Sequence, residues 1–172
     1  MTHSDFRNQG TRLAYWFTVL GYPSYMSNND IVTITPNVLP SLDTVTQQVS
    51  NNGAGAIVTF SGCTRDTFQG KRVLRLEYEA YEPMAIKVLK ELIAEARSKW
   101  DLTHVAIYHR TGVVPVSQVS VIIAVSSAHR AEAFRASEYL IDTLKERCPI
   151  WKKEVYEDGS VWKGQCCNHN QA

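Results

Sequence analysis

Residues 73–82 read VLRLEYEAYE. Leu74, Leu76, Tyr78 and Ala80 alternate with Arg75, Glu77 and Glu79, so a strand here carries an apolar row on one face and a charged row on the other. A strand with one wet face belongs in an antiparallel sheet, because parallel sheets are covered on both sides. Pro83 follows and suits the first turn of a helix. From Met84 to Trp100 the apolar residues Ile86, Leu89, Ile93 and Ala96 recur with helical period, so one face of that helix packs on the sheet. This pairing of elements predicts an α+β domain.

The reading extends in both directions. Upstream, IVTITP (31–36) is a short strand stopped by Pro36. Ser41 is placed to cap a helix bearing Leu42, Val45 and Val49. GAGAIVTFSG (53–62) is a buried strand whose Gly53 and Gly55 permit a turn or a close backbone approach, and TRDTFQGKRV (64–73) is a polar loop. Downstream, HVAIYHRTG (104–112) is the next strand, and the apolar QVSVIIAVSSA (118–128) is a central one. A helix over 129–147 buries Ala133, Phe134, Leu140, Ile141 and Leu144, and Pro149 ends it. IWKKEVYEDGSVW (150–162) is a hairpin turning at Asp158–Gly159. The predicted order is β-α-β-β-α-β-β-α-β-β, a mainly antiparallel sheet with helices packed against it.

Composition narrows the function classes. The chain has 172 residues, 44% hydrophobic and 20% charged, enough for one domain with a real core. Its net charge of +1 gives no global field for nucleic acid or membrane, so any anion site is local. Cys63, Cys148, Cys166 and Cys167 form no C-x-x-C pair, which fits reduced thiols in a cytosolic protein. His169 beside Cys166–Cys167 does not make a metal set. There is no glycine-rich nucleotide loop, no Ser–His–Asp order and no metal-ligand spacing, so no metal and no cofactor is expected. LAYWFTVL (13–20) follows Arg7 and Arg12 like the apolar part of a signal peptide, but no small-residue cleavage site follows and it is too short to span a bilayer. Residues 1–30 are expected to be a flexible extension, 31–164 the domain and 165–172 a flexible tail.

Three places could carry chemistry. LKERCPIWKKE (144–154) gathers Lys145, Arg147, Lys152 and Lys153 around Pro149, Ile150 and Trp151. Lys145 borders the apolar stripe of its helix, and Lys152 shares a strand face with Glu154 while Trp151 and Lys153 share the other. A helix end and the strand leaving it can aim both lysines into one cleft, with Trp151 walling it or anchoring the corner. Near each other and desolvated, two such amines serve as base, nucleophile or oxyanion stabiliser. The alternative is a dipole-favoured helix-end lysine followed by a solvated one. SSAHR (126–130) lies where a buried strand meets a helix, with Ser126 or Ser127 as cap and His129 and Arg130 at the mouth. It reads either as an anion cradle or as an ordinary capped helix. Arg65, in the polar loop, is a ligand-binding or a plain surface arginine.

Taken together, VTFSGCTRD, LEYEAYEPMA, HRTGVVPV, SSAHRAEAF and LKERCPIWKKE resemble the catalytic, large-subunit family of molybdopterin synthase over residues 31–164. The resemblance implies an α/β hammerhead-type fold and a sulfurtransferase of molybdenum cofactor biosynthesis. It implies a homodimer at the centre of a heterotetramer, with a small ubiquitin-like carrier whose C-terminal Gly-Gly thiocarboxylate enters the pocket of each copy. The substrate would be cyclic pyranopterin monophosphate and the product the molybdopterin dithiolene. By position, Lys145 and Lys152 match active-site lysines, and His129 and Arg130 a substrate-binding pair. Lys152, Lys153 and Glu154 match a substrate-contacting segment, and Arg65 a pocket arginine able to reach across a dimer. Cys63 is read as a small buried thiol with no part in the chemistry. The residues alone also leave open a lysine-dependent lyase or transferase for a phosphorylated metabolite, and a non-catalytic scaffold for a ubiquitin-like tail.

Overall fold

The computed structural model describes residues 29–165, with the side chains of Lys163 and Gln165 excepted. The N-terminal apolar run and the Cys166–Cys167–His169 cluster lie outside the described residues. In chain order the elements are β1 (Ile31–Thr35), α1 (Leu42–Val49), β2 (Ala56–Cys63), β3 (Thr67–Phe68), β4 (Lys71–Ala80), α2 (Glu82–Lys99), β5 (His104–Arg110), β6 (Gly112–Pro115), β7 (Val119–Ser127), α3 (Arg130–Arg147), β8 (Ile150–Tyr156) and β9 (Val161–Gln165). One sheet runs β1-β5-β7-β2, and a second runs β3-β4-β8-β9 with β6 also on β4. Among the described residues only the β1–β5 pairing is parallel. The α+β class and the antiparallel bias follow the sequence expectation, and β7 is internal as its apolar run requires.

Helices cover both faces of the first sheet. On one, Val45 and Val49 of α1 meet Ala106, Tyr108, Ile122 and Ala124. On the other, Leu89 and Ile93 of α2 and Ala133, Ala136 and Leu140 of α3 meet Val105, Ile107, Ile123 and Val125. Each fully buried leucine or isoleucine is worth roughly 1.5–3 kcal/mol over its exposed state. Ser41 caps α1 by accepting the Thr44 N–H at 3.2 Å. Gly55 is needed where β2 begins: a Cβ there would stand 2.5 Å from the Ala128 carbonyl oxygen. Asp30 pairs with Arg97 at 2.7 Å and accepts the Val105 N–H, tying the start of β1 to α2 and β5. Among the described residues no helix is long and apolar enough to cross a membrane.

Several local expectations change. The alternation in β4 is broken by a register shift between Val73 and Arg75. Val73 therefore packs inward with Leu76 and Tyr78, and Leu74 is turned out. The polar loop contains β3, joined to β4 by Gln69 and Gly70, both at positive φ, the hand a two-residue hairpin needs. The short strand β6 was not anticipated either. Phe134 is exposed; the stripe of α3 runs through Ala133, Ala136, Leu140, Ile141 and Leu144. Neither Ser126 nor Ser127 caps α3. Both remain in β7, where the Ser126 hydroxyl is engaged by the His104 backbone and Ser127 donates to the His129 carbonyl; His129 occupies the cap position with no side-chain bond.

Candidate functional site

The path from α3 to β8 is short. The Cys148 N–H closes the helix on the Leu144 carbonyl, and the Ile150 N–H bonds the Cys148 carbonyl at 2.7 Å. Pro149 cannot extend the helix, and its carbonyl accepts the Tyr81 N–H, which pins the corner to the end of β4. Cys148 and Ile150 are fully buried on either side of it. Lys145 in the last turn of α3 and Lys152 near the start of β8 then line the same cavity, of about 320 Å³.

Arg65 and Glu154 line that cavity too. Lys152 bonds Glu154 at 2.8 Å and lies 5.2 Å from the centre of the Trp162 ring. The second Glu154 oxygen accepts the Tyr156 hydroxyl at 2.7 Å. Burial, and then this bond to a carboxylate, push the Tyr156 phenol up to about 12. Among the described residues the Lys145 side chain has no ion pair or hydrogen bond, so its amine is uncommitted. Arg65 is exposed, within one chain, and stacks over Phe68 at 5.5 Å.

The other predicted residues lie elsewhere in the chain. His129 and Arg130 are exposed at the start of α3, whose 18 residues span roughly 27 Å at 1.5 Å per residue, whereas Lys145 is in its last turn. Lys153 points to the opposite face of β8 and pairs with Glu77 at 2.8 Å. That bond and one from Arg75 hold the Glu77 carboxyl below the usual carboxylate range. Trp151 neither walls the cavity nor anchors the corner: it stands exposed on the same outer face as Lys153. Cys63 is exposed and lines the cavity, contrary to the buried thiol expected, because β2 shifts register between Gly62 and Cys63.

Most of the lining residues escaped the sequence reading. His109, Tyr78 and Ser120 are buried against the cavity, and Phe60 lines it as well. A signal for His109 existed: it continues the row Val105, Ile107 at the two-residue period of β5. Among the described residues no group of three His, Cys, Asp or Glu could hold a metal ion.

Comparison with known proteins gives a consistent set. Residues 37–147 match the model of a family described as MoaE protein. The molybdopterin synthase catalytic subunit of Homo sapiens is 51% identical over 137 residues, covering 80% of this chain and 72% of that protein. That of Arabidopsis thaliana is 57% identical over 115 residues, 67% of this chain and 58% of that protein. The crystal structure of molybdopterin synthase from Staphylococcus aureus matches with a TM-score of 0.71 at 39% identity, over 76% of this chain and 94% of that one.

Proposed function

This chain belongs to the MoaE protein family, and on that premise we propose that it is the catalytic subunit of a molybdopterin synthase. It acts as a sulfurtransferase. The thiocarboxylated C-terminus of a small ubiquitin-like carrier enters the cavity, its single sulfur is passed to cyclic pyranopterin monophosphate and water releases its acyl end as a carboxylate; two such transfers build the dithiolene. The observation that carries this reading is the meeting of Lys145, Lys152 and Arg65 around one cavity with an exposed rim.

The two lysines differ in their surroundings, which supports different tasks. Lys152 is held by Glu154 as a fixed cation and stabilises negative charge that develops on the reactants. Lys145 has an uncommitted amine and handles proton transfer or the acyl group of the carrier. Arg65 and Glu154 help bind the substrate. His129 and Arg130 are a helix away from their own cavity, so we assign them to the substrate site of a second copy, in a homodimer that binds one carrier per cavity. Lys153 backs the strand that presents Lys152 and Glu154. We place the protein in the cytosol, where Cys63 and Cys148 stay reduced.

Reconstitution with thiocarboxylated carrier and cyclic pyranopterin monophosphate tests the assignment. Lys145→Ala and Lys152→Ala are expected to fold and bind the carrier, yet form dithiolene roughly 100-fold more slowly or worse. Wild-type rates in both would remove the lysines from the chemistry. Mixing Lys145→Ala with Arg130→Ala copies is expected to restore part of the activity, since one cavity of the mixed dimer then has every group. No recovery in verified mixed dimers overturns the shared site.

A further inference from the structure

Rim and floor of the cavity differ in kind. Arg65, Cys63 and Thr67 at the rim are exposed, and Lys145 and Lys152 are half-buried. On the floor, His109, Ser120 and Tyr78 are 1%, 4% and 7% exposed, among the apolar Leu76, Val121, Ile141 and Leu144.

The hydrogen bonds of the floor fix what it offers. His109 Nδ1 is 2.9 Å from the Arg110 carbonyl oxygen, an acceptor, so Nδ1 carries the hydrogen. In the neutral ring Nε2 then holds the lone pair. Tyr78 meets the imidazole edge-on, with centroids 5.1 Å apart, and gives its hydroxyl hydrogen to Ser120 at 3.2 Å. Ser120 passes its own to the Gly62 carbonyl at 3.2 Å. Among the described residues nothing donates to Nε2.

We propose that His109 is a specificity-determining residue of this cavity, whose Nε2 accepts a hydrogen bond from an uncharged N–H or O–H of the bound pyranopterin. The uncharged ring system then lies on the floor and the phosphate stays with Arg65, Lys145 and Lys152. The proposal rests on the reading of the cavity given above. A single lone pair cannot balance a phosphate, and an anion on an apolar floor would lose its water without compensation. Burial also lowers the His109 pKa to about 4, which keeps Nε2 unprotonated through the neutral range.

The test compares His109→Phe, which keeps a ring against Tyr78, with His109→Gln, whose amide oxygen restores an acceptor near Nε2. In the reconstituted synthase, His109→Phe is expected to raise KM for cyclic pyranopterin monophosphate about tenfold with kcat within about threefold, and His109→Gln to return KM to within about threefold of wild type. Inhibition by inorganic phosphate is expected to change less than about twofold in His109→Phe, since the phosphate does not touch His109. A wild-type KM in His109→Phe, an equal KM defect in both variants, or phosphate inhibition weakened as much as substrate binding, each overturns the proposal. A measurement on the unaltered protein does not depend on the variants folding: the nitrogen-15 resonance of His109 Nε2 should be of the unprotonated type and shift on titration with cyclic pyranopterin monophosphate. An unmoved resonance at saturation overturns it. If Lys145→Ala is inactive while His109→Phe has wild-type KM, only His109 is misassigned; if Lys145→Ala is active, the reading of the whole cavity fails.

Discussion

Two lysine–glutamate pairs sit on neighbouring residues of one strand. Lys152–Glu154 and Lys153–Glu77 both measure 2.8 Å, and the pleat of β8 sends them to opposite faces. The inner side chains are 17% and 5% exposed, the outer ones 34% and 25%. Inside, Glu154 also takes the Tyr156 hydroxyl, and Lys152 faces an indole ring. Outside, Glu77 is shared with Arg75 and water screens all three. The same chemistry is therefore a fixed charge in a cavity on one side and an ordinary surface contact on the other. Environment, more than residue type, separates them.

The sharpest way to break this contrast is Glu154→Ala. It strands a desolvated ammonium, and an equilibrium unfolding measurement is expected to show a loss of about 3–5 kcal/mol. A loss below about 1 kcal/mol would make the inner pair equivalent to a surface one. Next comes Lys152→Ala, whose roughly 100-fold drop in dithiolene formation corresponds to about 3 kcal/mol of barrier. The third effect concerns the cavity floor. His109 takes a proton only near pH 4 in the folded state but near 6.5 when unfolded. Between those values the unfolded chain binds more protons, so stability falls with acidity, by roughly 3 kcal/mol in all. His109→Gln is expected to abolish that slope in unfolding midpoints measured against pH. The smallest effect is on the outer face. A double-mutant cycle on Glu77 and Lys153 should give about 0–1 kcal/mol of coupling.

Much of this contrast was readable in the sequence. The two-residue period puts Lys152 with Glu154 and Lys153 with Trp151, and the proline after the helix brings Lys145 alongside. Those relations are local, set by helix and strand geometry. What stayed hidden depends on contacts between distant segments. The extra residue that turns Leu74 outward is defined only by pairing with β8, and a Gln–Gly turn is a weaker hairpin signal than Asn–Gly. Phe134 has the right period for the buried stripe of α3, but among the described residues no neighbouring element covers it. His109 becomes part of the site only because β5 and β4 face each other across the floor, as the edge-on contact with Tyr78 records. His129 and Arg130, by contrast, are candidates from sequence that the length of α3 separates from the lysines of the same chain.

The Cys148–Ile150 corner leaves no slack between helix and strand. One inserted residue there, if β8 kept its place in the sheet, would turn the strand over like a page and present Trp151 and Lys153 to the cavity. A two-residue insertion would restore the side but slide each amine by a full pleat. The span between Lys145 and Lys152 is thus a gauge length that substitution can trim and that changes in chain length destroy.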